Sequence, residues 1–88
     1  MNGRTLVAWN LRRLRTERGV SQERLAADAG VDRAYISELE RERGNASVDL
    51  LDRLAGVLSV QVSEFLRVPP TGSEKVKPLR AGRKPTTR

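Results

Sequence analysis

The chain has 88 residues and a formal net charge of +6, a length that allows one small domain rather than two separate cores. It contains no cysteine and no histidine, which excludes a disulfide scaffold, a zinc finger and any nucleophile that depends on either residue. No apolar run approaches the roughly 20 residues that span a bilayer, and no signal segment opens the chain. We therefore expect a soluble, cytoplasmic protein that is not an enzyme.

The first part of the chain predicts helices with clear ends. Residues 5–18 carry apolar side chains on one helical face, and Gly19 is expected to end this helix in a left-handed conformation. Ser21 is a good N-cap for a second helix, which stops at Gly30. No segment alternates apolar and polar residues for long enough to predict a strand.

Three further helices complete the predicted domain. Asp32 is expected to cap the third helix, over residues 33–41. Ser47 is expected to cap the fourth, whose leucines form an apolar stripe, and residues 62–66 form a last short turn. The fold class is therefore all-α with five short helices.

The spacing between the second and third helices carries the functional prediction. A helix that ends at Ala29, the short turn through Gly30 and Val31, and a new helix from Arg33 make a helix-turn-helix. Glycine permits the sharp reversal, and the valine fills the angle between the helices. Two helices set at a wide angle project the second one outward, where it can enter a DNA major groove.

The last 22 residues hold the whole excess of basic charge. Residues 1–66 contain ten Lys or Arg and ten Asp or Glu, whereas residues 67–88 contain seven basic residues against Glu74 alone. The same segment holds all four prolines and only three aliphatic side chains larger than alanine. Because it cannot bury enough apolar surface to offset its ordering entropy, we predict a helix-turn-helix domain over residues 1–66 and a disordered basic tail over residues 67–88.

Several linked motifs resemble one known family. In order, they are LRRLR from Leu11, RGVSQERLA from Arg18, AGV from Ala29 and YISELER from Tyr35, followed by the leucine pattern of the fourth helix. Together they are similar to the Cro/repressor-type (XRE) helix-turn-helix family of phage repressors and restriction-modification controllers. The resemblance covers about residues 4–66 and implies a lambda-repressor-like DNA-binding domain.

The resemblance also implies DNA-contacting positions. The positions that usually face base edges are Arg33, Ala34, Ser37 and Glu38. The positions that usually contact the DNA backbone are Gln22, Tyr35, Arg41, Arg43 and Asn45. The acidic residue that ends the recognition helix commonly pairs with a basic residue of the first helix, so Glu40 and Arg15 are expected to form a structural ion pair.

The chemistry of these side chains supports the assignments to different degrees. The Arg33 guanidinium can donate two hydrogen bonds to guanine, worth about 1–3 kcal/mol of discrimination, whereas Ala34 can only pack on a thymine methyl. Glu38 can accept from cytosine, or it can act by rejecting phosphates and wrong bases. The position of Trp9 off the apolar stripe leaves surface and interface roles open.

The chain departs from the family pattern at two turns. Glu42 stands where relatives usually have glycine directly after Glu-Arg, and no proline precedes the fourth helix. Ser59 stands where a glycine cap is usual.

A two-fold dimer would place two recognition helices about 34 Å apart on successive major grooves. The resemblance puts the dimer contact near the end of the fourth helix and the last turn; the alternative for these side chains is the core of a monomer. The interface candidates are Val57, Val60, Val62 and Phe65.

We therefore expect a sequence-specific transcriptional regulator, a repressor that binds double-stranded DNA as a homodimer on an inverted repeat. A chain of this size has no room for a ligand domain, so we expect no cofactor, metal or small-molecule ligand. The alternative is an antitoxin-like protein-interaction module with the same fold. The scarcity of apolar anchors in the tail disfavours it.

Overall fold

A computed structural model describes residues 2–70, which form four α-helices followed by a 3₁₀-helix. The helices are α1 (Gly3–Glu17), α2 (Gln22–Ala29), α3 (Arg33–Glu40) and α4 (Val48–Leu58), and the 3₁₀-helix spans Val62–Leu66. The described residues contain no strand, so the all-α prediction is confirmed. No helix among them has both the length and the apolar character that a membrane span requires. The predicted tail lies outside the described residues from position 71 onward.

Short polar side chains set where the helices begin. The side-chain oxygen of Asn2 accepts from the Thr5 backbone N–H at 2.9 Å, which starts α1 two residues earlier than predicted. Ser21 and Ser47 cap α2 and α4 in the same way, each at 3.0 Å. Asp32 is the N-cap residue of α3, as predicted, with the extended backbone of that position, but its exposed carboxylate makes no capping hydrogen bond.

Left-handed backbone conformations end the helices. Gly19 and Gly30 have φ values of 65° and 74°, which glycine adopts without steric cost. Ser59 adopts the same conformation after α4, with φ 60°, and Glu42 does so after α3, with φ 65°. These are the two positions where the sequence departs from the family's glycines, so the backbone keeps the turn although the residue has changed.

All four α-helices and the 3₁₀-helix contribute to one apolar core. Leu11, Leu25, Ile36 and Leu54 have no exposed surface. Partly buried side chains pack around them, among them Val20, Val31, Tyr35, Ala46, Val57 and Val60. The core holds α3 against both α1 and α2.

The side chain of Asn10 fastens the end of the domain to α1. Its Nδ2 lies 2.9, 3.0 and 2.8 Å from the carbonyl oxygens of Leu6, Phe65 and Arg67, which share its two hydrogens. Its Oδ1 accepts from Nε and Nη2 of Arg13 at 3.1 and 2.9 Å. This contact extends to Arg67, the first residue of the predicted tail.

The four predicted dimer-interface residues differ in exposure. Phe65 is completely buried in the core, which is the alternative that the sequence left open for these side chains. Val57 and Val60 are partly buried against the core, and Val62 is 36% exposed. Leu66, which the sequence analysis did not select, is 52% exposed beside it.

Candidate nucleic-acid interface

The turn between α2 and α3 is closed by backbone hydrogen bonds. The N–H of Gly30 donates to Ala27 O at 3.3 Å, and that of Val31 donates to Ala26 O at 3.0 Å. The Val31 side chain is partly buried against the core. The turn therefore sets the angle of α3 to α2 without help from the carboxylate of Asp32.

The four predicted base-reading residues do not share one environment. Arg33 and Ala34 are exposed at the start of α3, and the Glu38 side chain is 42% exposed. Ser37 is only 9% exposed, although it lies between these positions on the same helix. The structure thus leaves three of the four accessible and argues against base contact by Ser37.

A buried ion pair joins α1 to the end of α3. Nε and Nη2 of Arg15 donate to the two carboxylate oxygens of Glu40 at 2.7 and 2.9 Å. The Glu40 side chain is 1% exposed and also lies 3.5 Å from Nε of Arg12, while Nη1 of Arg15 donates to Val20 O at 3.0 Å. The ion pair that the family resemblance implies is present, and it anchors the C-terminal end of α3 to α1.

Gln22 connects this buried pair to the exposed start of α3. Its Nε2 donates to Oε1 of Glu40 at 3.0 Å, and its Oε1 accepts from Nη1 of Arg33 at 3.5 Å. The reverse amide orientation would turn an oxygen toward the Glu40 carboxylate and an NH₂ toward a guanidinium, so the neighbours determine which way the amide lies. An amide nitrogen has two hydrogens, so Gln22 can still donate one to a phosphate. The sequence offered no signal for this link, because it joins residues 18 positions apart.

The loop after α3 wraps around a single carbonyl group. Glu38 O accepts from the N–H groups of Arg41, Arg43 and Gly44 at 3.1, 2.9 and 3.2 Å. A Cβ at Gly44 would lie 2.6 Å from Cδ2 of Leu39, so this close approach requires glycine. The loop therefore keeps a set position relative to α3.

The predicted backbone-contacting residues lie around this loop. Arg41, Arg43 and Asn45 are exposed. Tyr35 is half-buried, and its hydroxyl donates to Asn45 O at 2.8 Å, so it ties the loop to α3. A donated bond from this hydroxyl to a phosphate would replace the bond that holds the loop.

Trp9, whose role the sequence left open, lies half-buried on α1. The guanidinium carbon of Arg13 stands 5.5 Å from the centre of its ring, within cation–π distance. Arg13 also donates to Asn10 and Glu64, so the ring belongs to the structural cluster on the side of α1 that faces the 3₁₀-helix.

Comparison with known families agrees with this geometry. The profile of the family described as helix-turn-helix (HTH_3) matches residues 11–65, which include the whole of α2, α3 and α4. The chain belongs to the helix-turn-helix family. Together with the XRE-type motifs, this gives the described residues a helix-turn-helix DNA-binding fold, and regulators of this family are DNA-binding proteins rather than enzymes.

Individual relatives are regulators as well. A hypothetical transcription factor of Neisseria meningitidis is 39% identical over 66 residues. The crystal structure of a hypothetical transcription factor from Neisseria superposes with a TM-score of 0.74 at 37% identity, covering 77% of this chain and 78% of that one. The immunity repressor of Bacillus phage phi105 is 39% identical over 60 residues. The restriction-modification controller protein C.AhdI of Aeromonas hydrophila superposes with a TM-score of 0.68 at 37% identity, covering 70% of this chain and 94% of that one.

The match does not extend over the full length of every relative. It covers 75% of this chain and 62% of the Neisseria protein, and 68% of this chain and 42% of the phage repressor. The shared part is the helix-turn-helix domain. Within the described residues no cluster of three acidic side chains is placed to hold a metal ion.

Proposed function

We propose that the protein is a repressor that acts in the cytoplasm and binds one operator sequence as a homodimer on an inverted repeat. The observation that carries this proposal is the two-sided character of α3. Its start presents Arg33 and Ala34 to solvent, while its end is tied to α1 through Glu40 and Arg15. A helix that is anchored to the domain at its C-terminal end and exposed at its N-terminal turn is suited to insertion into a major groove. The phage immunity repressor and the controller protein among its relatives support the repressor role.

The exposed residues divide into base and backbone contacts. The Arg33 guanidinium is suited to guanine, and Gln22, which it contacts, is suited to the phosphate next to it. Arg41 and Arg43 extend the positive charge along the loop. A base contact contributes sequence preference, whereas phosphate contacts contribute affinity without preference.

Selection of bound duplexes from a random DNA pool tests the proposal. The wild type should enrich an inverted repeat whose half-sites are about one helical turn apart. Arg33→Ala should relax the preference at one base position in each half-site. Arg43→Ala is the matched control: as an exposed phosphate contact in the loop after α3 it should weaken binding to all sequences alike and leave the enriched motif unchanged. Enrichment without a motif in the wild type would refute sequence-specific binding.

The dimer is proposed to form through the surface around the 3₁₀-helix. Val62 is its most exposed predicted member, with Val57 and Val60 partly buried behind it. Analytical ultracentrifugation at tens of micromolar, with and without operator DNA, should show a dimer that Val62→Glu dissociates. Val48→Glu provides the control, because Val48 is 71% exposed at the start of α4, away from the proposed surface. A wild type that stays monomeric in both conditions would refute the dimer.

The basic C-terminal segment is proposed to supply affinity that does not depend on sequence. Residues 71–88 carry six basic residues and one acidic residue. Each phosphate neutralised steepens the dependence of log K on log salt by about 0.9. Deleting residues 71–88 should therefore flatten that slope by up to about 5. An unchanged slope would show that the segment does not contact DNA.

A further inference from the structure

The carboxylate of Glu38 stands between two arginines that the proposed function assigns to DNA phosphates. Its Oε2 lies 3.9 Å from Nη1 of Arg41 and 4.0 Å from Nη1 of Arg43. All three side chains are well exposed, at 42%, 59% and 65%. The single carboxylate of Glu38 therefore lies close to both guanidinium groups on the proposed DNA-binding face.

This arrangement is built into the backbone. The carbonyl of Glu38 accepts from the N–H groups of both arginines and of Gly44, so the loop turns around the residue whose side chain the arginines approach. Arg41 is also held by its position directly after α3, where its N–H bonds to Ser37 O at 3.1 Å. Because the same residue anchors the loop and carries the carboxylate, the turn keeps the two arginine side chains within reach of it.

We propose that Glu38 limits sequence-independent binding of DNA by competing with phosphates for Arg41 and Arg43. This inference rests on the proposed function and assigns this residue a role in its selectivity. Phosphate contacts dominate non-specific affinity, and a carboxylate beside the contacting cations both neutralises them and repels the phosphates. Exposed ion pairs are each worth about 0.2–1 kcal/mol, so DNA can displace them, but only by giving up part of its binding free energy.

A base-reading role for Glu38 makes a different prediction. A carboxylate that accepted a hydrogen bond from a base would add affinity at the operator and leave binding to unrelated DNA unaffected. A carboxylate that competes for arginines lowers affinity for every duplex. The two roles therefore change different binding constants and can be separated by measuring both.

Binding of Glu38→Gln to a random-sequence duplex and to the selected operator, at several salt concentrations, provides the test. We expect affinity for the random duplex to rise about threefold to tenfold at low salt, since two exposed ion pairs are removed. The slope of log K against log salt should become steeper by about one, as for one additional phosphate neutralised. The substitution preserves the size of the side chain and all three backbone bonds at residue 38, so the fold is expected to survive.

Two further proteins make the result specific. Asp52→Asn removes one negative charge from an exposed position on α4, outside the proposed DNA-binding face, and should change affinity for the random duplex by much less. In an Arg41→Gln, Arg43→Gln background, Glu38→Gln should lose most of its effect, because there is nothing left for the carboxylate to neutralise. Failure of this background to reduce the effect would overturn the competition proposed here.

The remaining outcomes are also decisive. Equal increases in affinity for the random duplex from Glu38→Gln and Asp52→Asn would show that net charge alone determines this affinity, and they would overturn the inference. A loss of affinity for the operator, with no change in affinity for the random duplex, would indicate that Glu38 reads a base and would also overturn the inference. If the wild type binds both duplexes and Glu38→Gln does not increase affinity for the random duplex, this inference fails but the proposed function stands. A wild type that binds no duplex defeats the proposed function and this inference together.

Discussion

The side-chain amide of Asn10 lies 3.0 Å from the carbonyl oxygen of Phe65 and joins the middle of α1 to the last helical turn of the domain. These two residues are 55 positions apart, and both are completely buried. The same nitrogen also donates to Arg67 O, so this one side chain attaches the C-terminal end of the domain to α1. The cluster around α1, in which Arg13 bridges Asn10 and Glu64, is separate from the Arg15–Glu40 pair that supports α3.

Replacement of Asn10 by alanine should destabilise the domain strongly. The change leaves the carbonyls of Phe65 and Arg67 without this donor, and each buried unsatisfied polar group costs about 1–3 kcal/mol. We expect the free energy of unfolding to fall by about 2–4 kcal/mol in urea denaturation. Asn45→Ala, at an exposed position, should change it by less than about 0.5 kcal/mol. Similar values for the two variants would contradict the closing role of Asn10.

Removal of Glu40 should be more damaging than its charge alone suggests. Glu40→Ala leaves the buried Arg15 guanidinium without its counter-ion, which typically costs about 3–5 kcal/mol. The double variant Arg15→Met, Glu40→Leu removes both charges and should recover much of that loss. Asp28→Ala, which breaks an exposed pair with Arg24, should cost no more than about 1 kcal/mol. If the double variant proved less stable than Glu40→Ala in chemical denaturation, the unpaired charge would not be the cause.

A glycine at residue 59 should stabilise the protein. Ser59 ends α4 with φ 60° and ψ 45°, a conformation that costs a residue with a Cβ about 1–2 kcal/mol. Part of the gain is offset because glycine is more flexible in the unfolded chain, which leaves a net effect of about 1 kcal/mol. Ser59→Gly should raise the melting temperature by about 4–8 °C. Gly30→Ala introduces the opposite change at φ 74° and should lower it. Melting temperatures that shift in the same direction in both variants would contradict this explanation.

Glu64 should make stability depend on pH. A hydrogen bond from Arg13 Nη2, at 3.0 Å, and the nearby charge of Arg67 hold the pKa of Glu64 below its ordinary value, although partial burial opposes them. A carboxyl group whose pKa is lower in the folded state stabilises the protein fully above its unfolded-state pKa, about 4.3 for glutamate. That contribution is lost as the pH falls through the lower, folded-state pKa.

Urea denaturation of the wild type and Glu64→Gln between pH 3 and pH 7 checks this expectation. The wild type should be the more stable protein above about pH 5, and the difference should shrink at acid pH as the carboxylate takes up its proton. A difference that stays constant across the range would show that the charge of Glu64 plays no part. The glutamine keeps the size of the side chain, so a general packing defect is not expected.

Local patterns were sufficient to predict most of the secondary structure and the helix-turn-helix. Apolar spacing, Ser21 and Ser47 as caps, and Gly30 as a left-handed turn are determined by interactions within a few residues, and they can be recognised without knowing what packs where. The resemblance to the family also predicted the Arg15–Glu40 ion pair, which local patterns alone do not indicate. Exposure was predicted less well, because a position on a helical face does not say which neighbour covers it.

The tertiary structure decided which residues are accessible and which are coupled. It buries Phe65 and Ser37, closes the domain through Asn10, connects Gln22 to Glu40, and surrounds Glu38 with two arginines. The amino-acid sequence by itself determined an all-α helix-turn-helix domain, because helix propensity, capping and turn chemistry act locally along the chain. Only packing decided how the proposed DNA-binding face is held and charged, because those contacts join side chains from different helices, whose relative positions are not encoded in any local pattern.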